Sequence, residues 1–158
     1  MITIETTKQL EEKGDGGYKK DNFDFAYIDN KDLIVVNHSL VGVLPATSLN
    51  YGVFFIAKKA VSIVYASACW TTASTSGTLN LERLSGTEAL GAGDNIFINA
   101  MSTAGTANTV NTKNTSDLQN ITLKIGDRLA LKNSGTLTNL TDLCVTVYLK
   151  SITKGNYA

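Results

Sequence analysis

Leu143-Cys144-Val145-Thr146-Val147-Tyr148-Leu149-Lys150 puts an apolar residue at every second position. Leu79 and Leu81, within Thr78-Leu79-Asn80-Leu81, do the same on a shorter scale. Alternation with period two, bounded by turn residues, marks a half-buried antiparallel strand. The turns are Ser76-Gly77-Thr78, Ser85-Gly86-Thr87 and Ser134-Gly135-Thr136. Working outward from them, the spacing predicts short strands at Leu33–Val36, Leu40–Leu44, Tyr51–Ala57, Val61–Trp70, Thr78–Leu84, Asp94–Met101, Asn108–Thr112, Ile121–Ile125, Arg128–Lys132 and Leu143–Ser151. Strands at this spacing with no helical period predict an all-β chain folded as an antiparallel β-sandwich of jelly-roll type. The many Thr residues favour strands through their branched Cβ and keep an outer face wet.

Composition limits the function. The chain has 158 residues, 43% of them hydrophobic, enough for one core without a disulfide framework. Its formal net charge is zero, which argues against a nucleic-acid partner or an anionic membrane, both of which need a basic surplus. No apolar run approaches the length of a membrane span. The N-terminus carries no basic-then-apolar leader pattern, so synthesis and folding in a cytoplasm are expected. The Asn-X-Ser/Thr matches at Asn37, Asn114, Asn120 and Asn139 then carry no meaning beyond composition.

Charge is unevenly placed. Residues 1–32 hold 13 of the 28 charged residues. That segment is expected to form an N-terminal arm, with a short helix over Thr6–Lys13 and a break at Gly14-Asp15-Gly16-Gly17. Residues 33–158 are expected to form the sandwich. The arm is too polar to fold alone, but thirty extended residues span about 100 Å, ample to touch a neighbouring subunit. Phe23, Phe25 and Tyr27 alternate, and with Tyr18 they form an aromatic set suited to docking on a partner. The same face could instead cover the chain's own sandwich. Asp15, Asp21, Asp24, Asp29 and Asp32 match no calcium loop spacing, and a solvated arm is the expectation there.

Catalytic chemistry is sparse. His38 is the only histidine, and any triad would have to use it. It lies between two apolar runs and reads as a surface-turn residue. Cys69 and Cys144 are too few for a zinc site, and in a reducing compartment they are expected as free, half-buried thiols on strands with different neighbours. Gly91-Ala92-Gly93-Asp94 has the look of a phosphate loop but leads into a strand, so it reads as a turn. Gly126-Asp127-Arg128 reads as a tight turn with Asp127 capping the backbone. No catalytic residue, metal ligand or cofactor is expected, and no enzymatic activity.

The order of these turns and strands carries a resemblance. Gly77-Thr78-Leu79-Asn80-Leu81-Glu82-Arg83-Leu84-Ser85-Gly86-Thr87, Gly91-Ala92-Gly93, Thr106-Ala107-Asn108-Thr109-Val110, Gly126-Asp127-Arg128-Leu129-Ala130-Leu131, Gly135-Thr136-Leu137-Thr138 and Leu143-Cys144-Val145-Thr146-Val147 together resemble a β-sandwich module of tailed-bacteriophage virion proteins. Those are decoration, auxiliary capsid or head-fibre proteins. The resemblance implies a homotrimer bound to the major capsid protein or another virion protein, and location in the virion. It covers roughly residues 60–150, brings no catalytic residue with it, and leaves out the arm. A tail or fibre module that binds glycans is the alternative, weakened because the body's aromatics fall mostly within strand runs rather than on loops.

Overall fold

A computed structural model describes residues 33–45 and 50–152. The expected arm, with its Thr6–Lys13 helix and with Tyr18, Phe23, Phe25 and Tyr27, lies outside the described residues. Among the described residues there are ten strands: β1 (Leu33–Val43), β2 (Asn50–Ile56), β3 (Val61–Cys69), β4 (Thr78–Leu84), β5 (Asp94–Asn95), β6 (Met101–Ser102), β7 (Asn111–Lys113), β8 (Thr122–Leu123), β9 (Arg128–Ser134) and β10 (Thr141–Ser151), with one 3-10 turn at Thr115–Asp117.

They form two sheets. The first runs β1-β10-β3-β7, with β8 also on β3; the second runs β2-β9-β4-β5, with β6 also on β4. β7 and β8 pair with successive stretches of β3, and β5 and β6 with successive stretches of β4. Counting each of these couples as one interrupted strand leaves eight strands, and the chain passes between the sheets in the order of a jelly roll. The sandwich is therefore the expected all-β, antiparallel one.

The alternation in β10 does what its spacing predicts. Leu143, Val145, Val147 and Leu149 are buried, while Cys144, Thr146, Tyr148 and Lys150 lie half-buried on the outer face. Opposite them, Val61, Ile63, Ala66 and Ala68 of β3 face inward. The register slips between Tyr148 and Leu149, so one extra β3 residue is accommodated and the inward set moves from Ile63 to Ala66. Leu79 and Leu81 of β4, Leu129 and Leu131 of β9, Trp70, Phe97, Leu137 and Leu140 complete the core. Gly77 is required by packing, because a Cβ there would lie 2.2 Å from the Leu137 side chain and 2.6 Å from the Thr103 hydroxyl.

The two flanks differ. On one, the backbone stitches the sheets together: Ile98 N–H donates to Asp117 O (2.9 Å) and Gln119 N–H to Ile96 O (2.7 Å), around a bridge between Phe97 and Leu118. The other flank is formed by β1 and β2, each at the edge of its sheet among the described residues. There His38 stacks on Phe54, with ring centroids 5.1 Å apart.

Two expectations are corrected here. Leu33–Val36 and Leu40–Leu44 are not two strands but largely one, β1, and His38 sits mid-strand on its inward side rather than in a turn. Asp94–Met101 is not a continuous strand. Its middle turns away to Leu118, and the Asn80 side chain pairs with it as a strand would: Phe97 N–H donates to Asn80 Oδ1 (2.8 Å) and Asn80 Nδ2 donates to Phe97 O (3.1 Å).

Candidate functional site

The polar groups that could carry chemistry are mostly engaged in holding the fold. Glu82, fully buried on β4, accepts hydrogen bonds from Gly91 N–H (2.8 Å) and Gly93 N–H (3.1 Å), with Lys132 Nζ 3.9 Å away. The glycine loop thus does bind an anion, and the anion is the chain's own carboxylate. A Cβ on Gly93 would stand 2.4 Å from Arg83 O, so the loop closes on β4 only with glycine there. Nothing in the loop's own residues points to Glu82; the signal is a carboxylate that follows the buried run Leu79-Asn80-Leu81 of β4.

Asp127 behaves as its turn predicts. It follows Gly126, whose φ is +91°, and its carboxylate accepts from Lys124 N–H at 2.9 Å. Arg128 holds the next loop by donating to Gly86 O (3.1 Å) and Glu88 O (2.7 Å). Arg83 forms a 2.5 Å ion pair with Asp94 and donates to Thr122 O at 3.0 Å, tying the edge of one sheet to the other.

Among the described residues, His38 meets the Phe54 ring and pairs with no acid or nucleophile. Burial lowers its pKa below the usual histidine value, and its buried Nε2 has no hydrogen-bond partner among the described residues. It is part of the packing against Phe54.

Cys69 and Cys144 are both free, as expected, but the expectation of different neighbours is wrong. They are directly opposite each other on β3 and β10, on the outer face of the first sheet. The alternation in each strand marks that face; the register that aligns the two strands is what the sequence does not display. Burial, and the neighbouring Cys144 thiol through its charge and a hydrogen bond, raise the Cys69 pKa. Ser39 Oγ on β1 donates to Cys144 Sγ at 3.5 Å. The same face carries a polar row in which Thr146 Oγ1 donates to Asn37 Oδ1 at 2.7 Å, and Tyr65 meets Tyr148 edge to face at 5.3 Å.

The surface of the described residues has hollows of two kinds. One, of about 180 Å³, is lined by Thr78, Asn80, Asn95, Lys132 and Ser134 among others, and has no aromatic wall; its Thr78 and Ser134 hydroxyls bond each other at 2.8 Å. The other, of about 340 Å³, is lined by Ile34, Phe55, Ile56, Lys58, Lys59 and Val61. On β1, Val35 is 48% exposed, Val41 88% and Val43 77%; elsewhere Val110 and Ile125 are also exposed. Among the described residues, no three His, Cys, Asp or Glu side chains gather as metal ligands, and no helix is long and apolar enough to cross a membrane.

No family model and no curated protein matches the chain. Among solved structures it is similar to one from Bacillus endospore appendages, described as a novel family of disulfide-linked pili. The identity is 15% and the TM-score 0.31, over 77% of this chain and 89% of that one. A likeness of that size carries no argument about function.

Proposed function

We propose that the chain is a non-enzymatic structural protein of a tailed-phage virion, an auxiliary or decoration subunit that binds the head lattice and stabilises it or anchors a fibre. The observation that carries this reading is the jelly-roll strand order, an architecture used by capsid and lectin domains; as a fold-level analogy it supports the role without fixing it. The disposition of polar groups agrees with it. Glu82, Asp127, Arg83 and Arg128 are taken up by backbone groups and ion pairs within the fold, while apolar side chains stand outward along β1. A subunit of this kind acts by mass action: binding the assembled shell and not its free subunits shifts the balance toward the shell, and many modest contacts add up through avidity.

In this reading the partners are the major capsid protein, through the arm aromatics Tyr18, Phe23, Phe25 and Tyr27, and other copies of the chain. The protein is made in the host cytoplasm and resides in the virion as a homotrimer. The β1 edge is assigned to the contact between copies, because an edge strand leaves backbone N–H and C=O groups unpaired and β1 adds exposed valines to them. Gold-labelled antibody against this chain, imaged on negatively stained particles, tests the assignment. Label over the heads is expected; label confined to tail tips would replace this reading with a receptor-binding module, and unlabelled particles would remove both.

A further inference from the structure

We propose that Cys69 and Cys144 form a cross-strand dithiol site that a small-molecule disulfide oxidises to an intrachain disulfide, fastening β3 to β10. Residues directly opposite on antiparallel strands have Cα atoms roughly 4.5–5.5 Å apart, inside the range of roughly 4.4–6.8 Å that a disulfide spans. Their Cβ atoms must close by about 1 Å, a small displacement for two half-exposed side chains. The two cysteines face each other directly across β3 and β10, and neither is fully buried, so a reagent reaches them.

The chemistry balances as a thiol–disulfide exchange in two steps. One cysteine, as thiolate, attacks a sulfur of the reagent; a mixed disulfide forms and one reagent thiol leaves. The second cysteine, as thiolate, attacks the protein sulfur of that mixed disulfide; the second reagent thiol leaves. Two cysteine protons pass to the two departing thiols, and the reagent takes up the two electrons the protein gives up. Burial and the neighbouring Cys144 hold the Cys69 proton on, which makes Cys69 the slower attacker. Cys144 is therefore the first nucleophile and Cys69 the resolving one.

The test is oxidation of the full chain with oxidised glutathione, followed by intact mass and a peptide map. Expected are loss of both titratable thiols, a mass lowered by two hydrogens, a Cys69–Cys144 peptide, and a thermal midpoint raised by several degrees, all reversed by dithiothreitol. Under the same conditions Cys69→Ser should retain one glutathione as a mixed disulfide, and should acquire it faster than Cys144→Ser does. A wild-type chain that carries two glutathiones, links to another chain, or stays reduced would overturn the proposal. Both single variants keep the strands intact on a half-exposed face, so they serve as controls even if one is less stable.

Discussion

Glu82 shows how one residue holds a loop that its own sequence makes flexible. Its carboxylate accepts two glycine amides in a site closed to water. Removing it leaves two donors without acceptors and an emptied side-chain volume. Glu82→Ala should lower stability by about 2–4 kcal/mol, read as a shift in urea midpoint at unchanged slope. His38 gives a test of a different kind. Its folded pKa is depressed by burial from the ordinary 6.5, so as pH falls below that value the unfolded chain takes up a proton that the native chain resists. Stability is full above the unfolded value and declines through the window between it and the lower folded value. His38→Phe keeps the stack on Phe54 and removes the titration. Its stability should stay flat as pH falls below the ordinary histidine value of 6.5, where the wild type declines; parallel curves for the two proteins would show that His38 is not the group responsible.

At the level of elements, the strand assignments show what alternation can and cannot reveal. Leu143 to Leu149 could be read directly, because one face of β10 is apolar and the other is polar at every step. β4 matched its expected bounds for the same reason. In sequence β1 looks like two strands because Asn37-His38-Ser39 resembles a turn; the hydroxyl and amide in fact point outward to Cys144 and Thr146, and the imidazole points in to Phe54. Asp94–Met101 looks like one strand because its apolar residues do not disclose that Asn80 substitutes for a strand partner. The cysteine pair was hidden for a related reason: register joins residues far apart in sequence, and no local pattern encodes it. The β1 edge carries its own prediction. Val41→Lys with Val43→Lys should leave the thermal midpoint nearly unchanged, since both side chains are already in water. If this edge joins copies, the pair should shift the mass in light scattering to that of a single chain. An unchanged oligomer would place the contact elsewhere, and a wild type that is itself a single chain at micromolar concentration would remove the trimer.

For the molecule as a whole, the buried apolar core among the described residues runs from Leu44 to Leu149. Deleting residues 1–30 should therefore leave β-type circular dichroism and a cooperative melt. It should also weaken co-sedimentation with capsids, as should Ala at Phe23, Phe25 and Tyr27, at about 2 kcal/mol or more for each anchor. A truncated chain that binds capsids as well as the intact one would move the attachment surface onto the sandwich. The pairing of β1 with β10 has one more consequence. Asn37 meets Thr146 and Ser39 meets Cys144, so the two strands run in opposite directions and the chain enters and leaves the sandwich at the same pole. A tension applied across Leu33 and Ser151 would not load the sheet in shear. It would unzip β1 from β10 one rung at a time, the weakest way to pull a sheet apart. Stretching single molecules by these two points should open the domain at low force, β1 leaving β10 first. As a mechanical part the sandwich suits being clamped by a surface rather than strung in series along a cable.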